Sequence, residues 1–326
     1  MSEMDPAAFL ADLDQKPTRL RELATLIDQG GLRWPIDAAS PQRILLAGMG
    51  SSWFAAQQAA LRLRRAGCTA VAELASVAES WPTGSTTLVV GISASGGSVE
   101  TLDFIGRYDN AVALTNTADS AVQALATHTV QMHAGPEHSG VACRSYQHTL
   151  IALLALEQQL TGTDLALADT VRRAADATHD LLDRRAEWLP RVSGALEDGD
   201  GVWVLAPAER IGSALQGALM LREGPRRMAD GCETGDWSHV DVYLTKTLRY
   251  RALVFPGSRY DGAAAEWMRQ RGSVAVSVGG EFGGEFGVAA ETVRFPGDAH
   301  PLVAALTEVI VPELLAQSWW SAPLSP

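Results

Sequence analysis

The amino-acid sequence predicts an α/β protein made of two tandem, doubly wound domains, each built around a parallel sheet. Short apolar runs rich in Val, Ile and Leu alternate with stretches in which apolar residues recur at helical spacing. Loops of Gly and Ser follow the first apolar runs, where strands would end. The same layout starts again near Gly201, which indicates a duplicated unit. Strands that alternate with helices pair in parallel through right-handed crossovers.

The length and composition suit a protein of this class. With 326 residues, 47% hydrophobic and 20% charged, the chain can enclose two cores. Its net charge of −12, without a run of Lys or Arg, argues against a nucleic-acid partner. The acidic start at Met1–Asp5 is unlike a signal peptide, and no apolar run reaches the ~18 residues of a membrane helix. We therefore expect a cytoplasmic protein without a membrane partner, in which three scattered cysteines are free thiols.

The first part of the chain is predicted to be a helical segment followed by an α/β domain. Residues 1–40 form the helical segment, because apolar residues recur at helical spacing between residues 4 and 30, before Gly30-Gly31. The first domain spans residues 41–160. Its predicted strands are 43–48, 69–74, 86–92, 110–115 and 127–132, and its helices begin near Trp53, Val99, Asp119 and Ser145.

The second part repeats this layout after a connecting helix, predicted within residues 161–198 from Ala, Leu, Arg and Asp at helical spacing. The second domain spans residues 199–326. Its predicted strands are 201–206, 250–255, 273–278 and 291–295, with helices over 211–227 and 299–319.

A loop of small hydroxylated residues, Ser93-Ala94-Ser95-Gly96-Gly97-Ser98, follows the third predicted strand and precedes a helix. Backbone N–H groups and the positive end of a helix dipole would meet there, which favours an anion such as phosphate. The loop has no Lys, so it is not a P-loop. The simpler interpretation is a Ser-rich turn in which Ser98 caps the helix.

A similar loop, Gly48-Met49-Gly50-Ser51-Ser52, follows the first predicted strand. The third glycine of the dinucleotide fingerprint is missing because Trp53 stands there, so we do not expect a dinucleotide cofactor. Two serine loops at the carboxyl ends of neighbouring strands could hold one phosphate between them. The first loop of the second domain, Pro207–Arg210, has no cluster of hydroxyls, so phosphate binding is expected in the first domain only.

These loops resemble those of the sugar isomerase (SIS) domain family. Gly50-Ser51-Ser52 is similar to its first phosphate loop, and residues 93–98 to its S-x-S-G-x-S/T loop. Ala134-Gly135-Pro136-Glu137, followed by Arg144-Ser145-Tyr146, resembles the family's A-G-P-E segment and the S/T-K-A/S-F that follows. The resemblance covers nearly the whole chain after about residue 40 and is closest to the isomerase half of glucosamine-6-phosphate synthase and to phosphosugar deglycases.

The resemblance implies SIS-type, flavodoxin-like domains and a set of site residues. The phosphate-binding residues it implies are Gly50, Ser51, Ser52, Ser93, Ser95, Gly96 and Ser98. Glu137 and Arg144 are further candidates for substrate binding. The resemblance also implies a homodimer with shared active sites, in which the N-terminal helical segment crosses to the partner subunit.

Two residues of the second domain are the catalytic candidates. Glu223 stands two residues before Pro225, where a helix must end or become irregular, and Ala218–Glu223 is similar to the family's A-L-K-L-K-E. The resemblance makes Glu223 the base that moves a proton between the first two sugar carbons. His239, sixteen residues later, ends a segment similar to G-E-L-K-H, whose His opens the sugar ring. The simpler interpretations are a solvated carboxylate and an exposed or structural histidine.

The predicted function is a phosphosugar aldose/ketose isomerase, or a deglycase or deaminase, for a 6-phosphorylated sugar or amino sugar. The proton would move between C1 and C2 through an enediol or enaminol intermediate. The alternative is a non-catalytic regulatory protein that binds phosphosugars. No metal or cofactor is predicted, because the histidines lack an H-x-x-x-H or H-E-x-x-H pattern.

The sequence also departs from the family pattern. Ala94 and Gly97 stand where the family usually has Gln and Glu, which removes groups that contact the sugar or brace the loop. A glutamine-hydrolysing domain and a C-terminal Schiff-base lysine are not found, so glutamine-dependent synthesis is not expected.

Overall fold

Two parallel five-stranded sheets form the framework of the protein, which confirms the predicted α/β class. The computed structural model describes residues 4–36, 43–82, 84, 86–284 and 287–322. The chain divides into two compact units, each containing one sheet. The predicted boundary between residues 40 and 41 lies outside the described residues, as do Met1–Glu3 and residues 323–326. The other predicted domain boundaries stay predictions.

The first sheet lies in the unit formed by Thr18–Glu137 and Ala142–Arg172. Two helices, α1 (Pro6–Asp14) and α2 (Lys16–Asp28), precede its strands in the chain. The strands are β1 (Arg43–Gly48), β2 (Thr69–Leu74), β3 (Thr87–Ile92), β4 (Val112–Thr115) and β5 (His128–Gln131), and the helices between and after them are α3 (Ser51–Arg65), α4 (Val99–Ile105), α5 (Ala121–Leu125) and α6 (Arg144–Thr161). Every predicted strand of this sheet is present. β1, β3 and β4 are short, mostly buried and largely apolar runs, whereas β2 and β5 are less buried.

The second sheet lies in the unit formed by the described residues of Met1–Pro17, His138–Val141 and Arg173–Pro326. The connecting helix is divided into α7 (Leu167–Asp183) and α8 (Arg185–Leu196). The strands are β6 (Val202–Ala206), β7 (Ala229–Glu233), β8 (Arg251–Val254), β9 (Val274–Val278) and β10 (Ala289–Val293), and the helices are α9 (Ile211–Glu223), α10 (Thr234–Trp237), α11 (Asp261–Gln270), α12 (Pro301–Thr307) and α13 (Ile310–Ser321).

The strand order places β1 and β6 at corresponding positions. The first sheet has the order β2-β1-β3-β4-β5, and the second has the order β10-β9-β8-β6-β7. Read from the β7 edge, the second order repeats the first, with β7 in the place of β2. All the described pairings are parallel, so the carboxyl ends of the strands meet at one edge of each sheet.

Several elements of the second sheet's unit differ from the sequence prediction, including the closing helix predicted over 299–319, which is divided into α12 and α13. Strand β7 was not predicted, because Asp230, Gly231 and Glu233 interrupt its apolar pattern; it pairs with β6 alone, at the edge of the sheet. Helix α11 was not predicted either. Helix α9 ends at Glu223 and not at residue 227, since Gly224 and Pro225 stop it.

The closing helical stretch contradicts one expectation from the sequence. Pro301–Ser321 is long and apolar enough to cross a membrane by length and composition, although no such run was expected. In the structure, 89% of its most apolar window is buried inside the protein. The stretch therefore has the burial of a core helix.

Candidate active site

The two serine loops are neighbours in the first sheet. β1 and β3 pair in parallel with Gly48 opposite Ile92, so the loops that follow them start side by side. β2 pairs with the other side of β1, which means that the strand order reverses between β1 and β3. Ligands of open α/β sheets bind outside the carboxyl ends of the strands at such a reversal. The structure thus places the starts of the two serine loops next to each other, and phosphate binding by their residues stays a prediction.

The loop after β1 turns sharply into α3. Gly50 has a φ of +51°, a conformation that side chains disfavour, and it stands at the N-cap of α3 without a side-chain capping bond. A Cβ atom on Gly48 would lie 2.7 Å from Cβ of Ser52 and 3.1 Å from the carbonyl oxygen of Ile92. Glycine at this position therefore lets α3 begin close to the end of β3. Ser51 and Ser52 are half-buried in the first turn of this helix.

The loop after β3 is a tight turn with one exposed hydroxyl. The amide of Gly96 donates to the carbonyl oxygen of Ser93 at 3.1 Å, and Ser93 is only 4% exposed. Gly96 has a φ of +68°, and a Cβ atom there would lie 2.3 Å from Cβ of Ser120. Ser95 is exposed, and its hydroxyl accepts from the amide of Gly97 at 3.4 Å. The turn thus presents Ser95 to solvent while Gly96 packs against the next loop.

Ser98 is the N-cap of α4, as the simpler interpretation of this loop predicts. Its hydroxyl accepts from the amide of Thr101 at 3.4 Å and donates to Oε2 of Glu100 at 2.9 Å. Hydrogen bonds from its own backbone amide and from Ser98 lower the pKa of the Glu100 carboxyl. A carboxylate thus contacts the hydroxyl of Ser98 in this structure.

Residues that follow β4 support the loop after β3, and no role in the site was predicted for them. The amide of Asn116 and the hydroxyl of Thr117 both donate to the carbonyl oxygen of Ala94, at 3.2 and 3.1 Å. The Asn116 side chain also bonds to the carbonyl oxygen of Gly135 and the amide of Ala134, both at 2.8 Å. Its position directly after a buried strand was the available signal.

Glu137 and Arg144 hold the segment between β5 and α6. Oε1 of Glu137 accepts from the amides of Cys143, Arg144 and Ser145 at 2.6–3.1 Å, where α6 begins. The Arg144 side chain is fully buried and donates to the carbonyl oxygens of Ala134 and Pro136. These contacts give both residues a role in the shape of the loop, and their contact with a substrate stays a prediction.

Glu223 and His239 lie in the unit of the second sheet. Glu223 is the last residue of α9 and is half-buried. A Cβ atom on the following Gly224 would lie 2.9 Å from Cε3 of Trp320, so the end of α9 packs closely against α13. The chain then passes through Arg226, with a φ of +56°, into β7. The end or irregularity that Pro225 predicts is therefore present, and it lies directly after Glu223.

His239 follows α10 and is exposed. Its amide donates to the carbonyl oxygen of Asp236 at 2.8 Å. Trp237, two residues earlier, is fully buried and is the largest side chain of this segment. The segment thus has a buried anchor and an exposed imidazole.

Acidic residues surround the partly buried Cys232 of β7. Burial, together with the nearby Asp241, raises the pKa of the Cys232 thiol, so the thiol stays protonated near neutral pH. Burial also raises the pKa of Asp241, and Asp230 and Asp236 add to this effect by charge repulsion. Among the described residues, no group of three or more His, Cys, Asp or Glu side chains is arranged to hold a metal ion.

The segment that carries both serine loops also matches a known domain. Residues 39–157 match the SIS domain. This match confirms the resemblance inferred from the motifs. It includes both serine loops, Glu137 and Arg144, whereas Glu223 and His239 lie outside it.

Longer relatives and solved structures extend the similarity. The chain is 25% identical over 247 residues to the isomerizing glutamine–fructose-6-phosphate aminotransferase of Sulfolobus acidocaldarius, covering 73% of this chain and 41% of the relative. This chain therefore matches about two fifths of the length of that relative.

Solved structures with this fold include two named phosphosugar enzymes. Tagatose-6-phosphate ketose/aldose isomerase from Escherichia coli superposes with a TM-score of 0.79 at 16% identity, over 97% of this chain and 95% of that one. Glucosamine-6-phosphate deaminase from Thermotoga maritima superposes with a TM-score of 0.70 at 15% identity, over 96% and 94%. At these identities the likeness establishes the fold alone.

Proposed function

We propose that this protein is a phosphosugar isomerase, or a deglycase or deaminase, that acts on a 6-phosphorylated sugar or amino sugar. The observation that carries the proposal is the pair of serine loops, side by side where the strand order of the first sheet reverses, within the segment that matches the SIS domain. The names of the similar proteins, an isomerizing aminotransferase, a ketose/aldose isomerase and a deaminase, support the same substrate class.

The phosphate would be held by the loops after β1 and β3. The first turn of α3 begins without a side-chain cap, so the hydroxyls of Ser51 and Ser52 and the positive end of the helix dipole can stabilise an anion. Ser93, Ser95 and Ser98 would contribute from the other loop, with Gly50 and Gly96 setting the turns. Phosphate binding at Ser98 would displace Glu100, because two anions repel each other at hydrogen-bond distance.

In the proposed chemistry, Glu223 removes the proton from one of the first two sugar carbons and returns it to the other. A half-buried carboxylate at the end of a helix suits this task, since a carboxylate can act as a general base. His239 would exchange the protons of ring opening, which histidine can do near neutral pH. Isomerisation and amine release share an enediol or enaminol intermediate, so the same two residues serve either reaction.

The finer architecture belongs to the same proposal. The matching strand orders support two tandem SIS-type, doubly wound domains, although the domain match covers the first sheet only. We also propose a cytoplasmic homodimer with shared active sites, a small phosphosugar as its ligand, and neither metal nor cofactor.

The decisive experiment is exchange of substrate hydrogen in deuterated water. The protein is incubated with a panel of ketose, aldose and 2-amino-2-deoxyaldose 6-phosphates, and deuterium at C1 and C2 is followed by NMR. Exchange with at least one sugar, lost in Glu223→Gln and kept in the exposed control Glu197→Gln, is the expected result. Binding without exchange in the wild type would replace the enzyme with a phosphosugar-binding regulator.

A further inference from the structure

We propose that Tyr250 positions His239 by holding Trp237 through its phenolic hydroxyl. This inference rests on the proposed function, in which His239 opens the sugar ring.

The contact between the two aromatic side chains is buried and polar. Nε1 of Trp237 donates to the hydroxyl of Tyr250 at 2.7 Å, and the two residues are 0% and 1% exposed. An indole N–H can only donate, so it needs an acceptor when water is excluded. Removing that hydroxyl leaves the buried donor without this acceptor, which costs free energy as long as Trp237 keeps its place.

Tyr250 is itself held by the sheet. It directly precedes β8, the middle strand, and its ring stacks on Trp203 of β6 with centroids 4.3 Å apart and planes at 19°. Trp237 meets the same ring edge-on at 6.1 Å and 62°. Burial raises the pKa of the Tyr250 phenol, so the hydroxyl stays neutral at working pH.

The chain between Trp237 and His239 is too short to move independently. Trp237 ends α10, and the amide of His239 bonds to the carbonyl oxygen of Asp236 in that helix. At the other end of α10, the side chain of Glu233 accepts from the amide of Asp236 at 2.9 Å. A shift of Trp237 is therefore transmitted to His239. The imidazole of His239 is exposed, so the position of its backbone determines where the ring lies.

Tyr250→Phe tests this role, because it removes one oxygen atom and keeps the stacked ring. Tyr260→Phe is the matched control: Tyr260 packs on Gly235 of the same helix, but its hydroxyl accepts from Arg259 at the surface. We expect Tyr250→Phe to lower kcat roughly tenfold with KM within about twofold, since misplacing a reacting group costs rate. The control should match the wild type. A wild-type kcat in Tyr250→Phe, or a loss confined to KM, would overturn the inference.

Two further measurements separate positioning from a general structural role. In a His239→Ala background, Tyr250→Phe should lower kcat no further, because the residue that Tyr250 positions is already removed. With a 5-deoxy ketose 6-phosphate, which cannot close its ring, Tyr250→Phe should regain the wild-type rate. A loss that persists in either test contradicts the proposal.

The failure of this inference can be told from the failure of the proposed function. A wild type without C1/C2 exchange, or a fully active His239→Ala, contradicts the function. The imidazole NMR resonances of His239 test positioning without any activity: they should shift in Tyr250→Phe and stay unchanged in Tyr260→Phe. Unchanged resonances in Tyr250→Phe refute the inference. If Tyr250→Phe does not unfold cooperatively, Trp237→Phe removes the donor instead, and the same outcomes apply.

Discussion

The loop after β3 and the loop after β8 occupy corresponding places in the two sheets, yet only the loop after β8 contains an acidic side chain that accepts hydrogen bonds from its amides. Each follows a central strand and leads into a helix. In the loop after β3, the amides of Gly96 and Gly97 donate to uncharged oxygen atoms of Ser93 and Ser95. In the loop after β8, the amides of Gly257 and Ser258 donate to Oδ2 of Asp261, at 2.6 and 3.1 Å.

The second loop already contains an anion that the chain supplies. Asp261 is 9% exposed, and burial raises the pKa of its carboxyl despite the two amide hydrogen bonds. The nearby Arg210 is paired with the buried Glu308 and donates to the carbonyl oxygen of Pro256. A phosphate would meet a carboxylate here. The shared strand order thus creates a place for an anion in both sheets, and the side chains of the loop decide whether a ligand can bind there.

The largest effect is expected from Glu223→Gln, which tests whether the second sheet's unit contributes chemistry while the first binds phosphate. Exchange at C1 and C2 should fall roughly 10²–10⁴-fold, because general base catalysis is lost. Phosphosugar affinity, measured by calorimetry, should change less than about twofold, since the ligand's charge is held by the serine loops. A comparable loss of affinity would contradict this division of roles.

Complementation between inactive variants tests the proposed shared sites. Glu223→Gln and His239→Ala should each be nearly inactive. Mixed and re-equilibrated, they should regain up to about a quarter of wild-type activity, because about half of the molecules are heterodimers with one of two sites intact. Light scattering should report two chains. A dimer that shows no complementation would place both residues of a site in one subunit.

Ser95→Ala and Ser258→Ala form a matched pair for the two loops. Ser95→Ala removes a hydroxyl bond to a charged group, worth about 1.5–3 kcal/mol. Phosphosugar affinity should therefore drop roughly tenfold to a hundredfold. Ser258→Ala should leave the affinity unchanged, because its hydroxyl accepts from the amide of Tyr260 in the loop that Asp261 occupies. Equal losses of phosphosugar affinity in the two variants would contradict the proposal that only the loop after β3 binds phosphate.

The smallest effect is a pH dependence of stability from Asp261. Its folded pKa is raised, so its stabilising contribution is present below the unfolded pKa of about 3.9 and is lost as pH rises through the folded pKa. Asp261→Asn keeps an acceptor for the two amides and removes the titration. In urea unfolding, the free energy of unfolding of the variant should therefore increase relative to that of the wild type as pH rises, by at most about 1.4 kcal/mol per pH unit. If the difference in unfolding free energy between the variant and the wild type did not change with pH, the raised pKa of Asp261 would be contradicted.

The strands of the first sheet could be predicted because the residue pattern of each segment by itself indicates a strand. Residues 43–48 and 69–74 are the bounds of β1 and β2, and the loop after β3 was recognised from its hydroxyls alone. β7 could not be predicted, because an edge strand with Asp230 and Glu233 carries no apolar pattern and is stabilised by pairing with β6. Helix α9 was predicted too long, although Gly224 and Pro225 were visible in the sequence.

The sequence by itself determined the α/β class, the two serine loops and the need for a helix end or irregularity near Pro225, because each depends on residues within a few positions of one another. Only the tertiary structure decided that Asn116 supports the loop at Ala94, and that Tyr250 holds the anchor of the His239 segment. The contact between Asn116 and Ala94 joins residues 22 positions apart, and its partners meet only when β3 and β4 pair. Such contacts form between strands that the fold brings together, so a pattern along one segment cannot reveal them.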